Sequence, residues 1–223
     1  MPITLRSVVR ALFVVLLTPS IVLAQTGVAA PREPAWQLTP YFGVARHSPA
    51  GDFLGSTPDR NHVFAGVHIT ATVAKRGRWS LAWAPEVVPL LMLSATPKYH
   101  VNGVDPDSGF PSYAVDGSGY VAGVGLSPVG FEGRVAIGKS WRLYAATAAG
   151  FVKFTRNAPI PEARAFNYTF EYGGGIELRL RSDWWLRIGY KFHHLSNGFS
   201  AEENPGVDAN VWLVGLGRAF GRR

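Results

Sequence analysis

The chain has 223 residues, a formal net charge of +7 and no cysteine, with 25 glycines, 16 prolines and 13% aromatic residues. The lack of cysteine excludes a small secreted domain stapled by disulfides and any thiolate metal site. Such a glycine-, proline- and aromatic-rich composition describes strands and turns, and no low-complexity tract or linker divides a chain of single-domain size.

Arg6 and Arg10 precede the apolar run Ala11 to Leu17, and Val22-Leu23-Ala24 then supplies a small-residue cleavage pattern ahead of Gln25. Residues 1–24 are therefore predicted to be a secretory signal peptide, leaving residues 25–223 as one domain. The apolar run is too short to cross a bilayer, which takes about 20 mostly apolar residues in a helix. Loss of Arg6 and Arg10 with the signal lowers the net charge from +7 to +5. A basic exported protein suits an anionic partner, phosphorylated lipid as well as nucleic acid.

Eight strand-like segments follow Pro34. In the first, Trp36 to Arg46, Trp36, Leu38, Pro40, Phe42 and Val44 oppose Gln37, Thr39 and Tyr41. The second, Val63 to Ala74, sets Val63, Ala65, Val67, Ile69 and Val73 against His68, Thr70 and Thr72. The third, Trp79 to Leu93, sets Trp79, Leu81, Trp83, Val87 and Leu91 against Ser80, Ala82 and Glu86. The fourth, Tyr120 to Ile137, is irregular, with a bulge or bend expected at Pro128. The fifth, Trp141 to Phe154, alternates weakly. The sixth is the clearest: Phe166, Tyr168, Phe170, Tyr172, Ile176, Leu178 and Leu180 face one way, Asn167, Thr169, Glu171, Glu177 and Arg179 the other. The seventh is Trp184 to Asn197 and the eighth Asp208 to Phe220.

Connection lengths assign these strands to an architecture. Links at 75–78, 138–140 and 181–183 are tight, whereas 47–61, 94–119, 155–164 and 198–207 are long. Strict alternation of short and long links is the plan of an all-β, eight-stranded antiparallel transmembrane β-barrel of the bacterial outer membrane, with short periplasmic turns and long outer loops. Trp36, Trp79, Trp141, Trp184 and Trp185 at one end and Phe166 and Tyr168 towards the other read as interfacial girdles. An eight-stranded interior is filled by side chains, so Glu86, Glu171, Glu177, Arg179, Arg187 and Lys191 are expected to form an internal polar network and no open pore.

The seventh strand carries the candidate chemistry. By period 2, Trp184, Leu186, Ile188, Tyr190, Phe192, His194 and Ser196 share one face, and Trp185, Arg187, Gly189, Lys191, His193 and Leu195 the other. An apolar face thus ends in a histidine and a serine, and what solvates that face should be what the pair acts upon. Strand parity puts Asp208 on the same face of the returning eighth strand, so His194, Ser196 and Asp208 can meet at the outer rim. A serine becomes a nucleophile when a histidine accepts its proton and an acid orients that histidine, which is the logic of ester cleavage by acyl transfer. Asn197, Asn204 and the backbone near Gly198 are the candidate oxyanion donors.

His194-Leu195-Ser196-Asn197, followed by Asn204-Pro205-Gly206-Val207-Asp208, resembles the His-x-Ser-Asn and Asn-x-Gly-x-acid pattern of the lipid A 3-O-deacylases, the PagL type. The resemblance implies an outer-membrane esterase that hydrolyses the acyl chain at position 3 of lipid A without metal or cofactor. It implies His194 as general base, Ser196 as nucleophile and Asn204 as oxyanion donor, with Asp208 standing where the family has glutamate. Phe199 stands where the pattern has a glycine, with Gly198 one residue earlier.

The partners implied are lipopolysaccharide as substrate and outer-membrane lipid, not nucleic acid, with a homodimer left open. The active site would face the outer leaflet. Arg46, Arg60, Lys98, Arg156 and Arg164 in the long loops are candidates for lipid A phosphates or ordinary solvated charges. His193 is expected in the lumen; His47, His62, His68 and His100 lack metal-ligand spacing and read as loop or lumen residues. Glu202 and Glu203 read as solvated. The alternative from a different class is a non-catalytic barrel with an envelope-stabilising role that keeps the motif as a remnant.

Overall fold

The computed structural model describes residues 35–49, 54–95, 98–104, 106–109, 111–116, 119–181 and 183–221; the segment expected to be a signal peptide lies outside them. Eleven strands are formed among the described residues: β1 (Trp36–Ala45), β2 (His62–Arg76), β3 (Trp79–Trp83), β4 (Glu86–Ala95), β5 (Lys98–Val104), β6 (Pro111–Asp116), β7 (Gly119–Ile137), β8 (Trp141–Phe154), β9 (Phe166–Arg179), β10 (Trp184–Ser196) and β11 (Val207–Phe220). All pairings are antiparallel, and β1 pairs with both β2 and β11, so the sheet closes on itself and presents no free edge. β3 and β4 both lie between β2 and β7. They form one stave interrupted at Ala84-Pro85, which makes an eight-stave barrel.

Proline explains the interruption, because it has no N–H to give the ladder. The chain bonds around it: Ala84 N–H donates to Gly130 O at 2.8 Å, and Ile69 N–H to Pro85 O at 3.0 Å. Beyond it the β4–β7 register shifts between Val88 and Leu91. That shift corrects the third predicted strand: Pro89 and Leu90 both face outward, and Leu91 turns into the interior instead of sharing the face of Trp79 and Trp83. The bulge expected near Pro128 is present, between Leu126 and Val129. A second correction falls in the 94–119 link, where β5 and β6 pair as a separate hairpin.

Elsewhere the alternation holds. β1 alternates exposed and buried residues along its whole length, and on β9 Phe166, Tyr168, Phe170 and Tyr172 are exposed while Asn167, Thr169 and Glu171 are buried. Polarity is therefore inside out, the arrangement that suits an apolar solvent around the barrel. Trp36, Trp79 and Trp141 are exposed at the tight-turn end. Trp185 is not: it is only 3% exposed. It points inward with the Arg142 guanidinium 3.5 Å from its ring centroid, which removes it from the girdle.

The lumen is filled in two layers. Its middle and tight-turn end hold the predicted polar network and more: Glu132 and Arg134 of β7, Arg142 of β8 and His68 of β2 join it. Lys191 Nζ bridges Glu86 and Glu171 at 2.7 and 2.8 Å. Arg187 bridges Glu132 at 2.6 Å and Glu177 at 3.1 Å, and Arg142 pairs with Glu177 at 2.8 Å. Four buried carboxylates thus face four buried fixed cations, and mutual pairing offsets the cost of taking such charges out of water. Arg179 stands half-buried beside Trp185. At the long-loop end the lumen is closed by an apolar plug that includes Phe64, Leu91, Leu93, Phe154, Leu195 and Val207.

Candidate functional site

The site begins with strand register. On β10 and β11 the Cα partner of His194 is Asp208, and side chains directly opposite on one face of an antiparallel pair meet without help from a loop. His194 Nδ1 lies 2.7 Å from Asp208 Oδ1. An ionised carboxylate only accepts, so the bond puts the ring proton on Nδ1 and leaves the Nε2 lone pair to take a proton from elsewhere. Aspartate reaches because the partners are directly opposed, and the longer glutamate is not required.

Although strand parity turns this pair outward, neither residue is bare. The Asp208 side chain is 3% exposed and that of His194 13%, because part of the first long loop lies over them. Leu54 N–H donates to Asp208 Oδ2 at 3.1 Å. Ser56 and Thr57 N–H both donate to Gly206 O, at 2.8 and 3.0 Å. The packing is tight enough to require glycine twice. A Cβ at Gly55 would lie 2.7 Å from Asp208 N, and one at Gly206 would lie 2.9 Å from His194 Cε1.

Ser196 sits one pleat beyond His194, on the same face and half-buried, paired with Tyr168 of β9. Its hydroxyl makes no hydrogen bond to a described residue, His194 included.

After Ser196 the chain reverses in a type I′ turn. Ser200 N–H and Oγ–H both donate to Asn197 O, at 3.2 and 2.7 Å. Gly198 and Phe199 both have positive φ, 62° and 59°. Asn197 is buried and engaged in the turn: its backbone N–H is given to Asn204 Oδ1 at 3.0 Å and one Nδ2 hydrogen to Glu203 O at 2.6 Å. Asn204 Nδ2 makes no hydrogen bond to a described residue, while its Oδ1 holds Asn197 N–H. The Gly198 N–H is likewise uncommitted among the described residues. Arg164 Nε donates to Ser200 O at 2.8 Å, which brings a cation from the 155–164 loop to the turn.

The site looks onto aromatic surface. Phe170 and Tyr168 are the β9 partners of His194 and Ser196. Towards the middle of the barrel Tyr172 stacks on Phe192 at 5.0 Å, and Tyr190 meets Trp212 edge-on at 5.5 Å. The Tyr190 hydroxyl donates to Asn210 Oδ1, which satisfies two polar groups on an otherwise apolar face.

On the opposite face His193 lies in the lumen, with Nδ1 2.7 Å from Glu171 Oε1. His62 and His68 are also internal, and His47 is on an exposed loop beside Asp59. Glu202 and Glu203 are exposed. Among the described residues no group of three histidine, aspartate or glutamate side chains could hold a metal. The sequence points to His194, Ser196, Asp208 and Asn204, all of which gather at this rim. It gives no sign of Leu54 or Gly55, which act through backbone and leave no residue-type signature.

A family model described as lipid A 3-O-deacylase (PagL) matches residues 65–216. Among solved structures the barrel is similar to the outer membrane enzyme PagL, at 10% identity and TM-score 0.57, over 79% of this chain and 97% of that one. It also matches Ail, the attachment invasion locus protein of Yersinia pestis, at 12% identity and TM-score 0.45 over 84% and 99% of the two chains. A further match is the outer membrane protein OprG from Pseudomonas aeruginosa, at 10% identity and TM-score 0.48 over 87% and 99%. Comparison with curated protein sequences gives no match.

Proposed function

The chain belongs to the lipid A 3-O-deacylase (PagL) family of outer-membrane barrels, and from that premise we propose that it hydrolyses the ester-linked 3-hydroxyacyl chain of lipid A. Ser196 is the nucleophile, His194 the general base and Asp208 the acid that orients it. The observation that carries this reading is the 2.7 Å His194–Asp208 bond on the lipid-side face, with the Nε2 lone pair left over.

In the first step Ser196 turns to His194, its Oγ attacks the ester carbonyl carbon, and the hydroxyl proton passes to Nε2. The imidazolium that forms is stabilised by Asp208 through Nδ1–H. Negative charge develops on the carbonyl oxygen, and the Gly198 N–H and Asn204 Nδ2 are the donors that receive it; one such donor is typically worth about 10²–10³ in rate. Collapse breaks the bond to the sugar oxygen, which leaves with the proton from Nε2, and water then hydrolyses the acyl-serine with His194 again as base. The acyl chain lies along the aromatic stripe of Phe170, Tyr172 and Phe192 while the sugar stays at the outer-leaflet rim.

Mass spectrometry of lipid A from cells expressing the wild type or Ser196→Ala tests the proposal. The wild type should remove one 3-hydroxyacyl group and the variant none. Lipid A unchanged by a folded wild-type barrel would refute it.

A further inference from the structure

Resting on the esterase reading, we infer that the first long loop is a positioning element for the reaction, with Leu54 N–H and Gly55 fixing the acid that fixes the base. Asp208 is buried at the rim, so each carboxylate oxygen needs a donor or carries a desolvation cost. Oδ1 takes His194 Nδ1–H and Oδ2 takes Leu54 N–H. With one donor on each oxygen the carboxylate plane is set, and with it the plane of the imidazole. Release of the Leu54 bond frees the carboxylate to rotate, and the histidine with it.

The loop is built to hold that N–H in place. Ser48 is buried, its Oγ donating to Thr57 O at 2.9 Å and accepting Arg60 N–H at 2.8 Å, which closes the base of the loop. Thr57 Oγ also donates to Pro205 O at 3.1 Å, alongside the two bonds from Ser56 and Thr57 N–H to Gly206 O. Gly55 lets the loop seat: the atoms a Cβ would meet there, Asp208 N at 2.7 Å and Gly206 O at 2.8 Å, are backbone and cannot swing aside. The hydrogen bonds across the rim from residues 54–57 run to residues 205–208, on and just before the acid's strand, and among the described residues none of them goes to Ser196.

The test is Gly55→Ala, with Thr57→Val as the milder companion, in the full-length barrel folded in detergent micelles. Folding is scored by heat-dependent gel mobility and activity is expressed per folded molecule. Gly55→Ala should lower kcat about 10- to 100-fold, the scale of a small misplacement of a catalytic group, with KM changed less than about threefold. Nitrogen-15 spectra of labelled histidine should show His194 losing its Nδ1–H preference, a readout that a general loss of stability does not move. Thr57→Val should shift both in the same direction by less, and it decides the matter if Gly55→Ala does not fold. A folded variant with wild-type kcat and an unmoved His194 signal overturns the inference while leaving the esterase reading intact. Activity that survives Ser196→Ala overturns that reading and this inference with it.

Discussion

Asp208→Asn is the sharpest probe of the proposed base. The substitution keeps the shape of the side chain and changes one acceptor oxygen into an NH₂ donor. Which end faces His194 is decided by Leu54, whose N–H points at the second oxygen from 3.1 Å. Turning the amide so that its NH₂ faced Leu54 would set two donors against each other and leave a buried N–H unpaired, at about 1–3 kcal/mol. The carbonyl oxygen therefore stays with Leu54 and the NH₂ meets His194 Nδ1. That nitrogen must now accept, so the ring proton moves to Nε2, where it blocks transfer from Ser196. A base locked in the wrong tautomer costs about 10⁴ in kcat, or about 5 kcal/mol of transition-state stabilisation. The assay is the initial rate of 3-hydroxy fatty acid release from lipid A in micelles, with the histidine tautomer read by nitrogen-15 spectra. A folded Asp208→Asn barrel within tenfold of wild-type kcat would refute the reasoning, because it would mean that Asp208 does not govern the tautomer.

Three further outcomes follow from the same geometry. Asp208→Glu should lower kcat by about 10–100-fold, since the aspartate already meets His194 at 2.7 Å from the directly opposed position and an added methylene displaces the carboxylate; a variant as fast as wild type contradicts this. His194→Gln should abolish turnover, whereas His193→Gln should keep kcat within about threefold and cost about 1–3 kcal/mol of stability by taking a partner from Glu171, as rates and urea titrations will show. Glu177→Ala should destabilise the barrel by about 3–5 kcal/mol without entering the reaction, because Glu177 partners Arg142 and Arg187 deep in the lumen; an unchanged unfolding midpoint would argue against the network as a stabilising unit.

The barrel is legible in the sequence where strands are regular. β1, β9 and β10 alternate cleanly, and the lengths of the links supply closure and direction. Legibility fails where the period is broken. Pro85 and the β4 irregularity turn Leu91 inward, against simple parity, and the bulge beside Pro128 conceals Glu132 and Arg134 as partners in the polar layer. At the site, side chains of the right type at the right spacing are readable, and strand parity correctly separates His194 from His193. Hydrogen-bond commitments are not readable. Asn197 looks like an available donor until the structure shows its backbone N–H and its side-chain amide engaged by residues 204 and 203, and Leu54 contributes an N–H that any residue but proline would carry.

The pleat also explains how one short segment serves two solvents. His193 and His194 are neighbours in sequence, yet one belongs to an ion-paired interior and the other to a face that meets lipid, since successive side chains on a strand point to opposite sides. The interior pairs stabilise the staves and take no part in the proposed chemistry. The proposed catalytic groups sit on the outside of those staves, held by register on one side and by a loop on the other. A site so divided should respond in two separable ways: changes in the lumen should alter the unfolding midpoint before kcat, and changes in residues 54–57 or 204–208 should alter kcat before the midpoint. A one-residue slip of β10 against β9 and β11 would exchange the two histidines and lose both the buried pairs and the site, so the ion-paired lumen fixes the register on which the proposed reaction depends.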